Sequence, residues 1–120
     1  LEAEIETLEA AKTKLEADTA DLEEAQKHTA LLRVMVDAYD ARYALGEENI
    51  VAAKSALSGT ETTLNLVLAD IRSFDEGLAD TLPQRLELIR TNLDWDIETA
   101  IEDCNQLIED LLAVEAALYP

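Results

Sequence analysis

Leucine returns every seven residues at the start of this chain: Leu1-Glu2-Ala3, Leu8-Glu9-Ala10 and Leu15-Glu16-Ala17 repeat one tripeptide in register, and Leu22 continues it. A strict seven-residue apolar period keeps one stripe on one face of a slightly underwound helix, and such a stripe needs a partner helix along its length. Two further ladders follow. The first is Ile50, Leu57, Leu64, Ile71 and Leu78; the second is Leu86, Leu93, Ala100, Leu107 and Val114, shadowed by Ile97, Cys104, Leu111 and Leu118. Three ladders predict an all-α protein, an antiparallel three-helix bundle or coiled coil with long helices and very short connections, in one domain over residues 1–120.

The first helix is expected from Glu2 to about Leu45, roughly 65 Å at 1.5 Å per residue, with Gly46 stopping it in the left-handed conformation that glycine adopts at little cost. Its stripe is narrow over residues 1–25, as in a coiled-coil stem. It widens at Leu31, Leu32, Val34, Met35, Val36, Tyr39, Tyr43 and Leu45, so the second half should be the more buried. The second helix is expected over residues 47–80. Gly59 costs about 1 kcal/mol inside a helix, yet the ladder crosses Ser58-Gly59-Thr60 without changing phase, which favours one weakened helix over a break. Thr81 and Gln84 at capping-box spacing, with Pro83 in the first turn, predict a third helix over residues 82–118.

Charge narrows the function. The 27 acids and nine bases leave a formal net charge of -18, which repels nucleic acid and anionic lipid alike. No apolar run reaches the length of a membrane span. From Thr91 to Pro120 there is no Lys or Arg, so the acids of that segment must find cations elsewhere. Cys104, the single cysteine, excludes an internal disulfide and falls on a ladder, which reads as a buried small hydrophobe rather than a reactive thiol. His28, the single histidine, reads as a solvated helix residue and lacks the Glu-x-x-His spacing of metal-binding bundles. Nothing pairs a nucleophile with a base, and an enzyme is not expected.

Two features point to association. Asp94, Glu98, Glu102, Asp103, Glu109 and Asp110 form a dense acidic surface: either a merely solvated face, or a diffuse, low-affinity site for a divalent cation such as Ca²⁺ bridging carboxylates of neighbouring molecules. Asp94-Trp95-Asp96-Ile97-Glu98 opens like a calcium loop, but Thr99 and Asn105 stand where an EF-hand requires Gly and Glu. Trp95 lies off the ladder between two aspartates, at an intersubunit contact or against the end of the first or second helix. Tyr39 and Tyr43 read as core or seam residues.

Leu1-Glu2-Ala3-Glu4-Ile5, Leu8-Glu9-Ala10, Leu15-Glu16-Ala17-Asp18 and Asp21-Leu22-Glu23-Glu24-Ala25 resemble the opening of trichocyst matrix proteins, acidic coiled-coil components of protist ejectable granules. Acidity, small size and a start inside a helix, as in a processed product, are also similar to that family. The resemblance implies a secreted, calcium-responsive structural protein that packs in a granule; without it a cytoplasmic location is the expectation. The residues therefore favour a self-assembling coiled-coil protein whose partners are itself or paralogues, with Leu1, Leu8, Leu15, Leu22 and Trp95 at interfaces and no tightly bound cofactor. A spectrin-like spacer or helical binding module of a larger protein, and a halophile-adapted helical protein, are the alternatives.

Overall fold

A computed structural model describes residues 1–120 and contains only helices: α1 (Glu2–Gly46), α2 (Ile50–Ala56), α3 (Thr60–Asn65), α4 (Leu68–Phe74), α5 (Glu76–Asn92) and α6 (Ile97–Leu118). They form four antiparallel runs rather than the three expected, because α2, α3 and α4 follow one another along a single direction. The cross-links fix the directions. Thr60 meets Asp37 and Lys27 meets Asp70, so α2–α4 descend beside the C-terminal half of α1. Arg90 reaches Leu57 and Glu61 while Arg72 reaches Asp80, so α5 runs back against them. Arg42 bonds Asn105 and His28 bonds Glu115, so α6 lies antiparallel to α1 and closes the ring.

Twenty-two buried apolar residues form one core inside this ring, from Ala30 to Val114. All five positions of the last ladder are buried, as are its companions Cys104 and Leu111. The α1 stripe is split. From Ala30 onward Leu31, Val34, Ala38, Ala41 and Leu45 are sealed in the core, whereas every residue before Lys27 is exposed. Residues 2–26 therefore project as a bare helical stem, ~37 Å at 1.5 Å per residue, and the molecule measures 71 × 26 × 21 Å.

The expected second helix is broken, and Gly59 stands at one of the breaks as the N-cap of α3. The buried side chains still keep their phase across the interruptions, through Ala53, Leu57, Thr60, Leu64, Val67 and Ile71. The reason is geometric. At the junctions the amides of Ser58, Thr60, Leu66 and Val67 bond to the carbonyls of Ser55, Leu57, Thr63 and Leu64, three residues back. Such tightened turns interrupt the α-helix without redirecting the chain. Thr60 supplies a cause, since its hydroxyl is fully buried and donates 2.8 Å to Asp37 Oδ2 on α1.

Other boundaries also differ from expectation. Gly46 ends α1 within the helix, and Glu48 takes the left-handed turn instead, at φ 58. The next helix after the reversal begins at Asp75, not Thr81: Asp75 Oδ1 accepts from the Leu78 amide, and Pro83 lies inside α5. The expected third helix breaks at Leu93–Asp96, where Asp96 caps α6 by accepting from the Thr99 amide and hydroxyl. That hydroxyl and that amide hold the Asp96 carboxyl below its ordinary range. Asp-capped starts with an acid in the first turn, Asp75-Glu76 and Asp96-x-Glu98, outweigh the Thr81 capping box because they relieve both unpaired amides and the helix dipole.

Candidate association surfaces

The stem carries the first surface. Leu1, Leu8, Leu15 and Leu22 are 91, 70, 66 and 58 % exposed, and Ile5 joins them. Their helix receives no tertiary support, and the hydroxyls of Thr7, Thr13 and Thr19 bend back to carbonyls four residues earlier. The stem propagates from a helix already nucleated in the bundle, so propensity alone holds it.

The stripe does not stop where the bundle starts. Continuing the seven-residue count from Leu22 gives Thr29, Val36 and Tyr43, and the companion position three residues on gives Ala11, Asp18, Ala25, Leu32 and Tyr39. Leu32, Val36, Tyr39 and Tyr43 are all exposed, on the face of α1 opposite Leu31, Val34, Ala38 and Leu45. Of the two positions open to the tyrosines from sequence, core or seam, they therefore take the seam, on the outer face. One helix thus carries two apolar faces. One is buried in the bundle; the other is open over nearly its whole length.

Trp95 is the second surface, 85 % exposed in the turn between α5 and α6. It borders a shallow open depression with Ile50, Leu93 and Ile97, ringed by Asp94, Asp96 and Glu98. This is the end of the bundle remote from the stem.

The acidic residues separate into two groups. Asp94 pairs with Lys54 of α2 at 2.6 Å. Asp103 and Asp110, largely covered, flank Arg85 of α5 at 3.3 and 3.8 Å. The cations that α6 lacks are thus delivered from neighbouring helices, and these three carboxylates are committed to holding the bundle together. Arg85 Nε is buried with no hydrogen-bond acceptor, so its link to Asp110 is electrostatic contact only. Glu98, Glu102 and Glu109 remain exposed and without a cation. No group of three or more His, Cys, Asp or Glu side chains is placed to hold a metal ion.

His28 is not the free surface residue expected. Its ring stacks on Tyr119 with centroids 4.0 Å apart and planes 6° from parallel, and its Nε2 lies 2.9 Å from Glu115 Oε1. Beside it Asp70 and Glu24 hold the Lys27 ammonium, and the hydrogen bond to Asp70 raises its pKa. Burial likewise raises that of Tyr119. These contacts clasp α1 where it leaves the bundle. Distances of 87 residues in sequence hid the His28–Glu115 contact from any local pattern. Cys104 is fully buried as expected, and burial pushes its thiol up to about 11.

No helix is long and apolar enough to cross a membrane. The chain matches no protein-family model, no curated protein and no solved structure.

Proposed function

We propose that this chain is a structural protein that self-associates through its helices into an acidic, cation-responsive assembly. The observation that carries the reading is the open stripe at Leu1, Leu8, Leu15 and Leu22, a coiled-coil seam with nothing on it. Leaving such a seam wet forgoes the burial of four leucines, each worth about 1.5–3 kcal/mol, so the pattern makes sense only with a helical partner. Trp95, at the far end, supplies a second anchor of the type enriched at interfaces. The exposed Glu98, Glu102 and Glu109 offer oxygen ligands through which Ca²⁺ at low affinity lowers repulsion between chains of net charge -18. The resemblance of residues 1–25 to trichocyst matrix proteins supports the same role, in a secretory granule. A spacer role has one observation in its favour: the stem extends a bundle to 71 Å without adding to its core.

Sedimentation and light scattering at neutral pH, in chelator, millimolar Ca²⁺, millimolar Mg²⁺ and NaCl of matched ionic strength, test the reading. Reversible growth with Ca²⁺ beyond the NaCl control is expected. A particle of unchanged size in all four solutions would reject cation-governed assembly and leave the spacer.

A further inference from the structure

We infer that the partner of the open α1 seam is the same seam of a second copy, running antiparallel, so that each stem covers the outer face of the other molecule's bundle helix. This deepens the self-association reading and rests on it. The exposed side chains Leu1, Leu8, Leu15 and Leu22 with Leu32, Val36, Tyr39 and Tyr43 are 42–91 % exposed. Together they expose on the order of several hundred Å² of apolar surface, the size that marks an interaction site. A seven-residue seam is matched only by another seven-residue seam, and the other two ladders of this chain are consumed in its own core.

Side-chain matching selects the direction. In an antiparallel pair the two seam positions alternate across the interface. Setting Leu15 opposite Leu32 of the second copy also places Leu8 opposite Tyr39, Ala11 opposite Val36 and Leu22 opposite Ala25. The same alignment puts Asp18 opposite Thr29, a hydroxyl that can donate to it, and Asp21 beside His28. Every large apolar residue of the seam from Leu8 to Tyr39 then meets an apolar one. A parallel, in-register pair instead sets Asp18 against Asp18 and Glu4 against Glu4, like charges facing each other in the seam, and brings two acidic bundles to the same end. The antiparallel pair separates the bundles to opposite ends and lays beside each the partner's stem.

That stem carries Lys12 and Lys14. Six of the other bases pair with carboxylates of their own chain and Arg42 donates to Asn105, which leaves these two lysines as the cations with no partner in the fold. Two neighbours are unfavourable: Glu4 falls opposite Tyr43, and Lys12 lies beside Arg33, whose charge Asp37 already offsets at 3.6 Å.

The test uses the 120-residue chain with two single variants, Leu8→Cys and Tyr39→Cys. Both positions are exposed, and the native Cys104 is buried too deeply to interfere. Under mild oxidation the mixture of the two variants is expected to form a mixed disulfide dimer, while either variant alone stays reduced. A disulfide formed by Leu8→Cys with itself would show a parallel pair and overturn the inference. So would wild-type protein that sediments as a monomer at tens of micromolar. Leu15→Asp is expected to weaken dimerisation more than about a hundredfold with an unchanged monomer helix signal; an unaltered dimer would place the interface elsewhere. Assembly with Ca²⁺ but no mixed disulfide sinks this geometry alone, whereas a mixed-disulfide dimer indifferent to cations sinks the lattice reading alone.

Discussion

Leu15 and Leu31 occupy the same helix, little more than four turns apart, and differ in everything that packing controls. Leu31 is fully sealed against the other runs of the bundle, while Leu15 is 66 % exposed on the stem. The stem has the more regular repeat and no buried residue; the bundle half has an irregular pattern and carries the α1 part of the core. Regular spacing in a sequence thus marks a surface built for a helix, and does not say whether that helix belongs to the same molecule.

The sharpest way to break the contrast is to truncate both leucines. Leu31→Ala should cost about 2–5 kcal/mol in denaturant unfolding, from lost burial and the cavity left behind. Leu15→Ala should stay within about 0.5 kcal/mol for the monomer while weakening self-association. Equal losses of folding stability would mean that the stem is folded back onto a core. A second, smaller effect is expected at the ion cluster of the bundle. Arg85→Ala leaves Asp103 and Asp110, two turns apart on α6, largely covered and without a cation, which should cost about 1–3 kcal/mol. Sedimentation should show the stem-mediated association unchanged, because Arg85 lies between α5 and α6.

Within the bundle, the segmented run of α2–α4 contrasts with the unbroken α1. An added Cβ at Gly59 meets no atom within 4 Å, and its φ of -111 is open to any residue. Gly59→Ala should therefore raise stability by about 0.4–1 kcal/mol, mainly by restricting the unfolded chain, with melting temperature as the readout. A loss would show that the break depends on glycine and not on Thr60. The smallest effect concerns the α6 cap. Asp96 titrates below its ordinary 3.8 in the folded state. Its contribution is complete above that ordinary value and fades as pH drops through the lower folded one. Asn also caps helices but does not titrate there. Melting of wild type and Asp96→Asn should run parallel above pH 5 and diverge below pH 4, the wild type losing more.

Much of this molecule was open to reading from its residues. The ladders from Ile50 to Leu78 and from Leu86 to Val114 marked the inward face, with only the end members Ile50 and Leu78 half-buried, since a side chain's place around a helix follows from its number alone. The exposure of Trp95 and the burial of Cys104 came from the same count. The breaks did not, although Asp75 and Asp96 were visible caps followed by acids. Each cap competes with continued helix by about 1 kcal/mol, and contacts made elsewhere decide between them, as the Thr60–Asp37 bond does.

The residues by themselves determined that the chain is helical, which face of each segment turns inward, and that a heptad seam runs along the first helix, because these depend on spacing within a few turns. Only the tertiary structure decided that four runs close the ring, that Arg85, Lys54 and His28 meet the acids around α6, and that the stem seam stays outside. Those outcomes depend on distances between residues tens of positions apart, and local periodicity carries no information about such distances.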